Sequence, residues 1–242
     1  MRALRAFFAA LAYFTILPVP ARAHRGEPPD AYALAVLPFV GAIVGAAAGG
    51  FGWLASLILP GFAGVAAFAA SIVLTGAIHV DGFLDCCDGV LASATPQRRL
   101  EILRDPRHGT FAIAGMAVLV VVWIWALNGL LAQRLPLALA FSGCTSRLAA
   151  LANAYVFRYA RSGEPQPTVA TAPPVAAYAI ALALSACLAW AIGPWKLALV
   201  PAAVALAFFI GWYASVRLGG GITGDVYGAA ISVVDVAVLL AL

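Results

Sequence analysis

The chain has 242 residues, 64% of them hydrophobic and 10% charged, a net charge of +4 and a mean hydropathy of +1.00. A soluble globular domain carries about a quarter charged residues, so this composition excludes one and predicts an all-α polytopic membrane bundle, a single membrane-embedded domain over 1–242. The sequence lacks the alternating ten-residue pattern of an outer-membrane barrel and the basic, aromatic-interleaved cluster of a nucleic-acid binder.

Segment 2–17 is apolar behind Arg2 and Arg5 and stops at Pro18. Its apolar run is shorter than the ~17 residues a span needs, so an N-terminal interfacial or re-entrant helix is expected. A signal peptide has similar charge and apolar length, with Ala21 and Ala23 as cleavage-site residues, but Pro18 and Pro20 argue against cleavage there. A polar loop follows, holding Arg22, His24, Arg25, Glu27 and Asp30.

Transmembrane helices are expected at 32–59, 62–78, 109–131, 137–157, 175–192, 197–216 and 227–242, about seven in all. In the first, Gly41, Gly45 and Gly49 recur every four residues. That small-xxx-small face lets helices approach closely and makes a helix-packed homo-oligomer a candidate. In the long polar stretch before the third span, Thr95 fits an N-cap and Pro96 the first position of a short helix ended by Pro106. The four cysteines, Cys86, Cys87, Cys144 and Cys187, show no CxxC spacing and predict neither a disulfide framework nor a zinc site.

Alternate threading of the spans puts loops 18–31, 79–108, 158–174 and 217–225 on one side. They carry Arg22, Arg25, Arg98, Arg99, Arg104, Arg107, Arg158, Arg161 and Arg217, against only Arg134 and Lys196 opposite. This imbalance orients the first side to the cytoplasm.

The same side carries the chemistry. Asp81, Asp85 and Asp88 recur at i, i+4 and i+7, which puts all three on one helix face. Each ionised Asp would cost about 2.5–3.5 kcal/mol at the bilayer centre, and like charges this close repel unless a cation lies between them. A solvated helix face is the plain alternative, but the flanks are apolar and no basic residue pairs at i+4. Hard carboxylate oxygens suit Mg²⁺, which takes one or two carboxylates plus phosphates and water. His79, just before them, is a candidate base or phosphate contact. Arg104, Arg107 and His108 follow, and arginine forks match phosphate oxygens, so the substrate expected is a diphosphate.

Two other features bear on the site. Arg147, inside a span, needs a partner: Asp88, Asp235 or a ligand phosphate. The loop G-G-G-I-T-G-D, with Gly220, Thr223 and Asp225, offers backbone amides to an anion, although no G-K-[ST] follows to make it a P-loop.

The run G-A-I-H-V-D-G-F-L-D-C-C-D-G-V followed by R-R-L-E-I-L-R-D-P-R-H-G-T-F resembles the signature of the cobalamin synthase (adenosylcobinamide-GDP ribazoletransferase) family. F-T-I-L-P-V-P, L-P-F-V-G and the G-G-x-T-G-D-x-x-G-A pattern match in the same order, so the resemblance covers nearly the whole chain. It implies a Mg²⁺-dependent transferase of the bacterial inner membrane that acts last in cobalamin assembly. Such an enzyme joins α-ribazole, or its 5′-phosphate, to adenosylcobinamide-GDP and releases GMP. Asp81, Asp85 and Asp88 would hold Mg²⁺ on the diphosphate, arginines would neutralise the leaving GMP, and His79 or one of the acids would take the ribazole proton. The chain departs from the family pattern at Ile16, Pro106 and Ser232, while Asp235 keeps a carboxylate in the last helix.

Two other readings share these residues. Membrane alcohol phosphotransferases and prenyltransferases also hold Mg²⁺ on a diphosphate with helix-borne aspartates, but the arginine run after the acids fits them less well. A transporter would use Arg147 and Asp235 as an ion path, yet the charges cluster at one face and no polar trail crosses the bilayer.

Overall fold

The computed structural model describes residues 2–20, 30–161 and 171–242. Arg22, His24, Arg25, Glu27 and the alanines of the cleavage-site reading lie outside the described residues. Among the described residues the chain is helical, with no β pairing beyond an isolated parallel bridge between Tyr159 and Ile222.

Helix α1 (Arg2–Phe14) is the short N-terminal helix expected. It buries Ala6, Ala10 and Phe14 against Leu34 and Leu37, and the Ile16 amide ties it to the Leu74 carbonyl at 3.0 Å. The brief α2 (Ala31–Ala35) starts where the Asp30 carboxylate accepts the Ala33 N–H, an N-cap that satisfies one orphan donor. Next come α3 (Leu37–Ile58) and α4 (Ala63–Thr75). The chain then turns by 92° into α5 (Ile78–Gly89). Gly76 and Ala77 make that turn with φ of 58° and 60°; for Ala77, a left-handed backbone costs roughly 1–2 kcal/mol. After α6 (Pro96–Ile102), begun by Thr95 and Pro96 as expected, come α7 (Thr110–Asn128) and α8 (Leu135–Ala152). Helices α9 (Val175–Ile192), α10 (Leu199–Arg217) and α11 (Gly224–Leu240) complete the chain.

Among the described residues, five helical stretches are long and apolar enough to cross a membrane, or six if the bent α4–α5 pair counts as one, which marks a multi-pass membrane protein. The expected count of about seven included α4 and α11. At 1.5 Å per residue, the 13 residues of α4 reach only ~20 Å before the turn. Helix α11, 17 residues long, carries Asp225 and Asp235 and is the most enclosed element beside α8. It packs on α5, α7, α8 and α10, burying Val226, Tyr227, Ala230, Ile231 and Val234.

Helices α3 and α8 run antiparallel with their backbones in contact. Gly41 meets the Gly143 carbonyl, Gly45 that of Leu139, and Gly49 that of Leu135. The glycine face read as a candidate oligomer contact is therefore used inside the chain. A side chain at Gly45 has only helix backbone to displace, so Gly45→Leu is expected to cost about 1–3 kcal/mol, read as a lower melting temperature in detergent.

The described parts of three arginine-bearing loops meet at one end of the bundle. The Ala160 amide donates to the Ile222 carbonyl, and Arg217 donates to the Val90 and Ala92 carbonyls, so segments 158–161, 90–92 and 217–222 lie together. At the opposite end Lys196 Nζ donates to the carbonyls of Ala241 and Leu242.

Candidate active site at one end of the bundle

The site is built on α5, which the Gly76–Ala77 turn lays against the start of α11. The crossing is close because it is glycine on both sides: a Cβ on Gly82 would stand 2.8 Å from the Asp225 carbonyl, and one on Gly228 3.1 Å from that of His79. This contact brings Asp225 into the neighbourhood of Asp81 and Asp85. The far end of α5 is held by two cations. Buried Arg99 donates to the Val90 carbonyl at 2.6 Å and to the Ala94 carbonyl at 2.9 Å, and Arg217 adds its bonds to Val90 and Ala92. Both satisfy carbonyls that a helix C-terminus leaves open, where positive charge is favoured.

Asp81 and Asp85 face a common space. The His108 ring lies between them, Nε2 at 3.9 Å from Asp81 Oδ1 and Nδ1 at 3.9 Å from Asp85 Oδ1. Asp81 is largely open, its side chain 65% exposed, while that of Asp85 is 17% exposed. The charges acting on Asp85 are those of Asp225, Asp81 and Asp88, with His108 as the attractive neighbour. Asp225 accepts from the Thr223 hydroxyl at 3.0 Å and lies 3.8 Å from Arg161 Nη2. The Arg161 Nε is buried without a hydrogen-bond partner among the described residues. Three carboxylates thus share a rim whose nitrogen-bearing neighbours, His108 and Arg161, stand at 3.8–3.9 Å.

Asp88 has a different post from its two neighbours. Its oxygens accept the backbone N–H groups of Gly109 and, at 3.0 Å, Ala112. It caps the N-terminus of α7 and anchors the loop that presents His108. On that loop, exposed Arg107 holds Asp105 through paired bonds of 2.9 and 2.7 Å, which keep the Asp105 carboxyl down at about 2. Arg104, at the end of the α6 segment, is exposed beside it.

Arg147 is not brought to the rim. It is buried in α8, donates to the Gly143 carbonyl at 3.0 Å, and lines an internal cavity of about 60 Å³ with Asp235, Trp123 and Ser232. Of the partners expected for it, Asp235 is the one whose charge acts on it, at a distance beyond direct ion pairing. His79 stands between this interior and the rim. It is buried, its ring stacks on Phe14 with centroids 6.2 Å apart, and its carbonyl accepts the Ser232 hydroxyl at 3.0 Å.

The glycine-rich loop spends part of its expected anion-binding capacity internally. The Gly220 amide donates to the Ser215 carbonyl at 2.8 Å, the Ile222 amide to that of Arg158 at 2.9 Å, and Arg158 Nε donates to the Gly220 carbonyl. Gly220 adopts φ of +107°, a conformation open to glycine. The loop therefore serves chiefly to aim Thr223 and Asp225 at α5.

Arg161 escaped sequence reasoning as a site residue; it stood out only as a topological charge.

Comparison with known proteins covers nearly the whole chain. The sequence profile of the cobalamin-5-phosphate synthases matches residues 6–242. Curated relatives named adenosylcobinamide-GDP ribazoletransferase include one from Klebsiella pneumoniae, 34% identical over 258 residues and 99% of each chain. Another, from Ralstonia nicotianae, is 36% identical over 247 residues, covering 98% of this chain and 94% of the relative. One from Leptothrix cholodnii is 34% identical over 251 residues, with the same coverage of 98% and 94%. No solved structure matches. With the match running through α1, the acid-bearing α5, the loop after it and the last helix, the chain belongs to the cobalamin-5-phosphate synthase family.

Proposed function

We propose that this protein is a Mg²⁺-dependent adenosylcobinamide-GDP ribazoletransferase of the bacterial inner membrane, with its active face toward the cytoplasm. It joins α-ribazole, or its 5′-phosphate, to adenosylcobinamide-GDP and releases GMP. The observation that carries this reading is the rim of Asp81, Asp85 and Asp225 at the end of the bundle where the arginine-bearing loops meet, in a chain matched over nearly its full length by transferases of that name.

Among the described residues no group of three or more His, Cys, Asp or Glu side chains is arranged to hold a metal ion by itself. What supports magnesium is the chemistry of the donors: hard carboxylate oxygens suit Mg²⁺, which keeps waters and shares substrate phosphates. Asp81, Asp85 and Asp225 would hold it, and Asp88 is occupied as a helix cap. When bound, the ion would neutralise charge on the diphosphate.

The chain's own groups supply the rest. A ribazole hydroxyl attacks the phosphorus next to the cobinamide arm, so a new O–P bond forms and the bond from that phosphorus to GMP breaks. The hydroxyl proton passes to His79 or a rim carboxylate. Arg161, beside Asp225, and Arg104 and Arg107, on the loop that carries His108, would meet phosphate oxygens as charge shifts to the leaving GMP. Purified protein in lipid nanodiscs, given adenosylcobinamide-GDP, ribazole and Mg²⁺, is expected to release GMP. EDTA should abolish the release and Mg²⁺ restore it. No release under these conditions would reject the reading, and release that survives EDTA would reject the metal.

A further inference from the structure

Between α6 and α7 the chain carries an imidazole to the acid rim. His108 Nε2 stands 3.9 Å from Asp81 Oδ1, and Nδ1 stands 3.9 Å from Asp85 Oδ1, so the ring faces both carboxylates at once. Hydrogen bonds from a nitrogen to an oxygen run at about 2.7–3.2 Å, so neither nitrogen is spent on its carboxylate. The side chain is 38% exposed and open to a ligand arriving at the rim.

The loop is built to hold this ring in place. On one side of His108, the Arg107 N–H donates to Asp105 Oδ1 at 3.1 Å, and the Arg107 side chain adds two bonds to the same carboxylate. On the other, the Gly109 N–H donates to Asp88 Oδ2. Glycine permits that approach, because a Cβ there would stand 2.9 Å from Asp88 Oδ1. Both neighbours of His108 are thus tied to carboxylates by their own amides. A side chain on a pinned backbone loses less freedom when it binds, which raises affinity. Neither capping α7 nor bracing Asp105 needs an imidazole at position 108.

What the ring meets follows from its neighbours. Asp81 and Asp85 are carboxylates expected to share an ion with the diphosphate. Oxygens side by side on Mg²⁺ stand about 3 Å apart, given metal–oxygen distances of about 2.1 Å at right angles. A donor 3.9 Å from two such carboxylates lies one layer outside them, within reach of an oxygen bound beside them. In either neutral tautomer the imidazole offers one N–H, and a bond to a charged phosphate oxygen is stronger than one between neutral groups.

We propose that His108 is a further substrate-binding residue, donating to a phosphate oxygen of the diphosphate beside Asp81 and Asp85. The proposal rests on the transferase reading. Its test is calorimetry of adenosylcobinamide-GDP binding in nanodiscs, with Mg²⁺ and without ribazole, in wild type, His108→Phe and His108→Gln. Phenylalanine keeps a ring and removes the donor, while glutamine keeps a donor. His108→Phe is expected to weaken binding about tenfold, and His108→Gln to recover much of the loss. In turnover, the KM for adenosylcobinamide-GDP should rise by a similar factor in His108→Phe, with the KM for ribazole unchanged. Mn²⁺ binding without substrate, read by electron paramagnetic resonance, and the melting temperature should match wild type in both variants, because the ring neither ligates the ion nor holds the loop.

Wild-type affinity in His108→Phe would overturn the proposal. So would a rise confined to the ribazole KM, which would give the ring to the attacking hydroxyl. Tighter Mn²⁺ binding in His108→Phe would also overturn it, as the mark of a ring that only stands in the ion's place. If the wild type binds adenosylcobinamide-GDP and releases no GMP, the transferase reading fails while the binding comparison still decides the role of His108. If it binds none, both fall.

Discussion

Asp85→Asn is expected to lower GMP release by roughly 10²–10³-fold while leaving the protein as stable as the wild type or more so. The two halves have the same origin. Asp85 is the most enclosed carboxylate of α5's open pair, and Asp225 and Asp81 act on it as like charges. In the ligand-free protein that repulsion works against folding, so neutralising Asp85 relieves it. In the loaded enzyme the same charge would help hold the ion that offsets the diphosphate, so neutralising it removes transition-state stabilisation. A variant that lost activity only because it misfolded would show the opposite sign in stability. Activity near that of wild type would reject Asp85 as part of the metal set.

Asp88→Ala is expected to behave in the reverse sense. Its carboxylate accepts from Gly109 and Ala112 at the N-terminus of α7, and a Cβ on Gly109 would sit 2.9 Å from its Oδ1, so the loop is built around it. Loss of an N-cap costs about 1–2 kcal/mol, which for a chain of this length lowers Tm by about 2–8 °C. Turnover should fall less than in Asp85→Asn, through loosening of the loop that carries His108. Asp88→Asn, which retains one acceptor oxygen, should recover part of the stability. Thermal unfolding in detergent followed by the GMP assay separates the two aspartates. Equal loss of turnover with unchanged Tm would return Asp88 to the metal set.

How far the sequence revealed this arrangement depends on how local each cause is. Five of the spans followed from runs of apolar residues, the α6 start from Thr95 and Pro96, and the α3 glycine face from its period of four, because all three are short-range rules. The i, i+4, i+7 spacing correctly put Asp81 and Asp85 on one side of a helix. It did not show that Asp88 would meet the N-terminus of α7, 21 and 24 residues further on. Nor did it show that the glycine pair Gly82 and Gly228 would bring in Asp225. Arg147 illustrates the limit most plainly: an arginine inside a span must be accommodated, but only packing decides that it faces Asp235 in the interior rather than a phosphate at the rim. The turn at Gly76 and Ala77 was hidden because nothing in the local pattern singles out an alanine with positive φ.

The central claim is that Asp81, Asp85 and Asp225 hold a divalent ion on the substrate's diphosphate. The most direct measurement is Mn²⁺ binding by electron paramagnetic resonance, with Mn²⁺ in place of Mg²⁺ and adenosylcobinamide-GDP present without ribazole. Bound Mn²⁺ is expected in the wild type and in Asp88→Asn, with severe loss in Asp85→Asn. Unchanged binding in Asp85→Asn, or loss confined to Asp88→Asn, would contradict the account.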